Sequence, residues 1–104
     1  MDTQKEINKL VFNPETRHMS AGNEIQHCGT EYKGIKITEV TYFPFNIFIN
    51  ISTWYIVDLV LPMDTKVENG KMRDCYYTDE GYGLPVFDKL EDVIAFINKF
   101  KGIN

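Results

Sequence analysis

The sequence predicts an α+β fold: an antiparallel sheet of four to five strands with a C-terminal helix packed on one face, and a short helix at the N-terminus. Three observations predict it. No lysine or arginine falls between Lys36 and Lys66, and this interval is dense in aromatic and β-branched residues, the composition of sheet. Asn69-Gly70 is the dipeptide that most readily supplies the positive φ angles of a tight hairpin. Residues 88–102 carry a helix start, an apolar stripe and a helix stop in that order.

At 104 residues the chain suits a single domain, 1–104, large enough to bury a core without staples. Residues 3–11 predict the short helix, with Ile7, Leu10 and Val11 on one face and Thr3 and Glu6 at capping-box spacing. Asn13-Pro14 ends it. Residues 15–23 are polar and read as a loop. Ile25 to Cys28 predicts a short strand, with a turn at Gly29-Thr30. Residues 35–43 predict a longer strand. Ile35 and Ile37 share one phase and Val40 and Tyr42 the other, so a bulge is expected near Thr38-Glu39.

Pro44 interrupts this strand, because proline cannot donate to a ladder. Beyond it, Phe45, Ile47, Ile49 and Ile51 alternate with Asn46, Phe48 and Asn50, which predicts another strand and then a turn near Asn50–Thr53. Trp54 to Leu61 is a near-continuous apolar run, as in a central strand covered on both faces, and Pro62 closes it. The Asn69-Gly70 turn then pairs residues 54–61 with 71–78. Residues 79–85, with two glycines and a proline, read as a loop. In the last helix Asp88 is the expected N-cap, with Glu91 three residues on and Asp92 in the first turn. Leu90, Val93, Ile94, Ile97 and Phe100 form its apolar face, and Gly102 stops it.

Composition narrows the function. Apolar residues make up 43% of the chain and aromatics 13%, enough to exclude a disordered chain. The net charge of −4 disfavours a general phosphate binder and suits a basic protein surface. Two cysteines, Cys28 and Cys75, make no disulfide framework, and both are expected as buried thiols. The segment 1–6 lacks the basic and then apolar blocks of a signal peptide, so a cytoplasmic location is expected. Residues 42–61 match the length of a bilayer span, but Pro44, Asn46, Asn50 and Asp58 argue against one. The glycosylation pattern Asn50-Ile51-Ser52 then reads as accidental.

Motifs of chemistry are sparse. His18, His27, Cys28 and Cys75 are zinc-type ligands without paired zinc spacing, and no metal or cofactor is expected. No glycine elbow marks a nucleophile. Gly81-Tyr82-Gly83 runs into Leu84-Pro85 and meets neither nucleotide fingerprint. Six acids (Asp74, Asp79, Glu80, Asp88, Glu91 and Asp92) accompany one base, Lys89, and read as a solvated loop and helix start. Asp58, inside an apolar run, reads as a strand end or bulge where the side chain reaches solvent.

Tyr32-Lys33-Gly34-Ile35, and later the run from Phe87 and Asp88 through Glu91 and Asp92 to Phe96, resemble in layout the sheet-plus-helix DNA-binding domain of plant ethylene-response factors. In that family an early Tyr-Arg-Gly opens the sheet and a Phe-Asp-x-x-Glu-Glu-Ala segment opens the helix. The resemblance covers these two stretches and implies topology alone. The arginines that read bases in the family have no counterpart, since residues 37–65 carry no basic residue.

The expected function is a small acidic, non-enzymatic protein-binding module of the inhibitor, immunity or accessory kind. Its expected partner surface is Tyr77, Asp79, Glu80 and Tyr82, where tyrosines meet acids and flexible glycine. A basic partner would be steered there, and salt would weaken the contact. The alternative is a nucleic-acid-associated domain using Lys33 and Lys36. A third reading is a small enzyme assembled from His27, Cys75 and Asp58. Residues 43–61 also hold more apolar side chains than one helix covers, so a homodimer is expected.

Overall fold

Two tight turns organise the first half of the chain. Ala21 (φ 50°) with Gly22 (φ 84°), and Lys33 (φ 52°) with Gly34 (φ 82°), each place two successive residues in the left-handed region. That is the geometry of a two-residue hairpin turn whose twist matches its strands. The computed structural model describes residues 3–75 and 81–102. Its elements are α1 (Thr3–Asn8), β1 (Asn13–Ser20), β2 (Asn23–Tyr32), β3 (Ile35–Phe43), β4 (Ser52–Val57), β5 (Leu61–Pro62), β6 (Gly70–Asp74), β7 (Tyr82–Phe87) and α2 (Leu90–Phe100). The α+β fold stands, with both helices in place, but the antiparallel sheet has seven strands where four to five were expected.

Strands β1 to β4 form a meander, and β7 then pairs with β4, β5 and β6. The extra strands lie where the sequence reads as loop. β1 is polar and wholly exposed, so an edge strand stands where no alternation marks one. It carries the bulge expected in β3, at Glu15, where the register with β2 shifts between Pro14 and Thr16. β3 itself pairs without a break on both sides. Its change of phase is a change of face: Ile35 and Ile37 point to the helices, and Val40 and Tyr42 to the other side. Gly29 is no turn. A Cβ there would meet the Glu15 carboxylate at 2.5 Å, so glycine leaves room for that side chain, which holds Lys36.

β7 replaces most of the expected loop 79–85 and separates the two strands that Asn69-Gly70 was to join. Asn69 does take a positive φ of 62°, but it leads the chain into the edge strand β6. Pro85 pairs with Met72 of β6, while the ladder with β4 holds only Phe87 and Val86 and stops before the proline, which has no N–H to give. β4 also ends sooner than expected, at Val57. The exposed Asp58 donates its N–H to the Lys36 carbonyl at 2.9 Å, which fits the strand-end reading of this acid.

The core lies between one face of the sheet and the helices. Ile37, Val57 and Phe87 meet Val93, Ile94 and Ile97 of α2, all fully buried, with Tyr32 and Ile35 beside them. Ile7, Leu10 and Phe12 close the edge of this cluster. The Tyr32 hydroxyl donates to Asn98 Oδ1 at 2.8 Å and ties the end of β2 to α2. The N-cap of helix α2 is Lys89, not Asp88, and no side chain caps it. Its stop is as expected, with Gly102 at φ 75° donating to the Lys99 carbonyl. Helix α1 ends at Asn8 instead of reaching Val11. Cys28 and Cys75 are half-buried thiols. Among the described residues no helix is long and apolar enough to cross a membrane.

Candidate protein-binding surface

The segment expected as a strand at 45–51 is the connection between β3 and β4. Pro44 ends the β3 ladder, and two asparagines then hold the chain in a turn. Asn23 Oδ1 accepts the Phe45 N–H at 2.8 Å, Asn46 Oδ1 accepts the Phe48 N–H at 2.9 Å, and the Asn46 carbonyl accepts the Ile49 N–H at 3.0 Å. The backbone is therefore satisfied locally and needs no strand partner. The side chains are not covered. Phe45 is 75% exposed, Ile47 88%, Phe48 89%, Ile49 55% and Ile51 61%. The Phe45 ring lies over Gly22, so the connection leans on the β1–β2 turn, where Met19 is also exposed.

This apolar apex carries no charge of its own, since no Asp, Glu, Lys, Arg or His lies between Glu39 and Asp58. The charges on the neighbouring strands are paired. Arg17 Nε donates to Glu24 Oε1 at 2.6 Å, and Gln26 Nε2 donates to Glu24 Oε2 at 2.7 Å. Below the apex, on the sheet face away from the helices, Ile25, Tyr42, Trp54 and Ile56 are half-buried, and Val40 is buried between His27 and Trp54. The surface is thus a neutral apolar tip continuous with an apolar sheet face.

The other sequence candidates fall elsewhere. Tyr77, Asp79 and Glu80 lie outside the described residues. Tyr82 is 42% exposed at the start of β7, the end of the strand remote from the apex. Asp88, Glu91 and Asp92 follow the opposite end of β7, some five residues or about 16 Å along the strand. The acids of the helix start therefore do not join Tyr82 in one patch. Lys36 Nζ is held by Glu15 at 2.9 Å, and Lys33 Nζ sits 5.2 Å above the Tyr32 ring. His27 and Cys75 do not converge, because β3, β4 and β7 stand between β2 and the end of β6. His18 and His27 stack edge to face at 6.1 Å, with Thr16 Oγ1 3.0 Å from His27 Nδ1, and Cys28 points to the other face. Among the described residues no three His, Cys, Asp or Glu side chains gather as a metal site.

A half-open groove of about 420 Å³ runs between α2 and residues 61–69, floored by Leu61, Phe96 and Phe100. Lys66 and Lys99 at its rim are balanced by Glu68 and Asp92, and Asn69 Nδ2 holds Asp92 Oδ1 at 3.3 Å. It selects no sign of charge in a ligand.

Among the described residues, Tyr55 has a clearly displaced proton affinity. Burial, and then the Glu39 carboxylate that accepts its hydroxyl hydrogen, push the Tyr55 phenol up to about 12, with Glu91 adding to the effect. The ordinary value is 10.0, so the folded chain keeps a proton that the unfolded chain loses across that window. Stability from this group is complete below about pH 10 and falls as pH rises toward 12. Tyr55→Phe should flatten the alkaline limb of the urea midpoint measured against pH. An unchanged limb would show that the fold does not raise the phenol's proton affinity.

The sequence reading took the apex for a strand because its alternation looks like sheet. Part of the signal that marks it is local, Pro44 before it and Asn46 within it; the other part is the distant Asn23. Comparison with known families, characterised proteins and solved structures returned no match for the chain.

Proposed function

We propose that the chain is a small non-enzymatic protein-binding module, of the inhibitor, immunity or accessory kind, whose contact surface is the apex 45–51 with the adjoining sheet face. One observation carries the reading: five large apolar side chains in one seven-residue connection are more than half exposed. Soluble monomers rarely expose a contiguous apolar patch beyond about 300–600 Å², and larger ones mark interaction sites. The tip is exposed and uncharged, which suits contact with another protein surface better than enclosure of a small substrate. The two asparagines fix its backbone, so little ordering entropy opposes binding.

The test compares capture of proteins from native lysate by the wild type and by Ile47→Asp and Phe48→Asp. Both side chains are almost fully in solvent, so the variants should fold with unchanged circular dichroism and melting temperature. Specific capture should be lost with either aspartate. A captured set indifferent to both would overturn the apex as the contact. Sensitivity instead to Tyr82→Ala and to Asp79→Lys with Glu80→Lys would move the contact to the tyrosine–acid loop.

A further inference from the structure

We infer that the occupant of the apex is a second copy of this chain, docked apex to apex about a two-fold axis. The inference rests on the reading of the apex as a protein contact surface and names its partner. Three features of the molecule favour a second copy.

The first is charge. Each molecule carries a net charge of −4, so two copies repel wherever their acids approach. The apex is the place where they do not. It has no ionisable side chain, and Arg17 and Glu24 beside it neutralise one another. A partner of opposite charge would find nothing there to pair with. A lipid surface would find no lysine or arginine to anchor anionic headgroups. A neutral apolar patch is complementary to itself, which a two-fold contact requires.

The second is area. Met19, Phe45, Ile47, Phe48, Ile49 and Ile51 offer on the order of 100 Å² each, or about 600 Å² per copy. A standard interface buries about 800 Å² per partner. Asn46, Asn50 and the upper sheet face around Tyr42 and Trp54 can supply the remainder.

The third is that both sheet edges resist the competing mode, strand-to-strand pairing. β1 is blunted by Pro14, the bulge at Glu15 and its own charges. β6 presents Lys71, Arg73 and Asp74. Association is thereby directed from the edges to the tip.

The test is sedimentation of the full chain over a range of concentrations. The wild type should shift from monomer to dimer. Phe48→Asp should raise the dissociation constant roughly tenfold or more, because it would bury a charge at the centre of the contact. Ile47→Asp should do the same. Salt should leave the wild-type dimer unchanged or tighten it, since it screens the mutual repulsion; a contact between acids and bases would weaken. A wild type that stays monomeric at the highest concentration overturns the inference. So does a dimer that Phe48→Asp and Ile47→Asp leave intact, or a monomer that binds phosphatidylcholine vesicles through Phe48. If the wild type is monomeric but still captures other proteins through Phe48, the second copy is rejected and the contact surface stands. If neither capture nor association depends on Phe48, both are rejected.

Discussion

Truncation before Asp88 is expected to leave an unfolded or aggregating chain. Helix α2 contributes Val93, Ile94 and Ile97, each fully buried against Ile37, Val57 and Phe87. Burial of a large apolar side chain stabilises by about 1.5–3 kcal/mol, so three remove roughly 5–9 kcal/mol. A domain of this size has only about 5–15 kcal/mol in all. The cut also strips the Asn98 acceptor from Tyr32 and leaves its hydroxyl beside an open core. A milder probe is Ile94→Ala, which should cost about 2–5 kcal/mol in urea unfolding. A cooperative, monomeric melt of the truncated chain would show that the helix is an appendage and not the lid of the core.

Gly83→Ala is expected to be the more damaging of two glycine substitutions, for a different reason. Gly83 pairs with Asp74 on one side and Leu61 on the other, and a Cβ there would collide with the Arg73 carbonyl and with Met63 Sδ. Sulfur at the end of a methionine can move, but the backbone of a paired strand cannot move without breaking its ladder. β6 would be pushed off β7, at a cost of about 3 kcal/mol. Gly34→Ala is the control. Its φ of 82° disfavours a side chain, but nothing lies within 4 Å, so the cost should be about 1–2 kcal/mol. Equal losses at the two sites would mean that conformation alone, and not the approach of β6, requires glycine at 83.

What was legible in the sequence follows from which physical signals are local. The apolar face of α2 is written at helical spacing and was readable as Val93, Ile94 and Ile97. β3 was readable from Ile35 to Phe43 because half-buried strands alternate. The turn at Ala21-Gly22 lay inside the expected loop 15–23, and the strand before it was hidden, since the wholly exposed β1 needs no apolar residue. β7 was hidden by Gly83 and Pro85, which punctuate loops in most sequences. Here the glycine serves a close approach, and the proline sits where one ladder ends. Asp88 and Glu91 have capping-box spacing, but the chain enters α2 one residue later and uses no side-chain cap. The candidate surface was half readable. The uncharged, aromatic-rich interval was plain, and Phe48 stood out against the phase of its neighbours. That the segment was a turn and not a strand depended on Asn23, which lies outside it in the sequence and accepts the Phe45 N–H.

Sheet order also dictates how the chain is completed during synthesis. β1 to β4 each pair with the strand just before, so the meander can close as it emerges from the ribosome. β6 cannot pair on arrival, because β5 and β4 lie beyond a strand that has not yet been made. Until Phe87 has emerged, the nascent chain holds three strands, β4, β5 and β6, whose edges await the same partner. The apolar residues that α2 will cover stay open longer still. A chain interrupted before residue 87 is therefore a substrate for chaperones and proteases, however well its first four strands have formed.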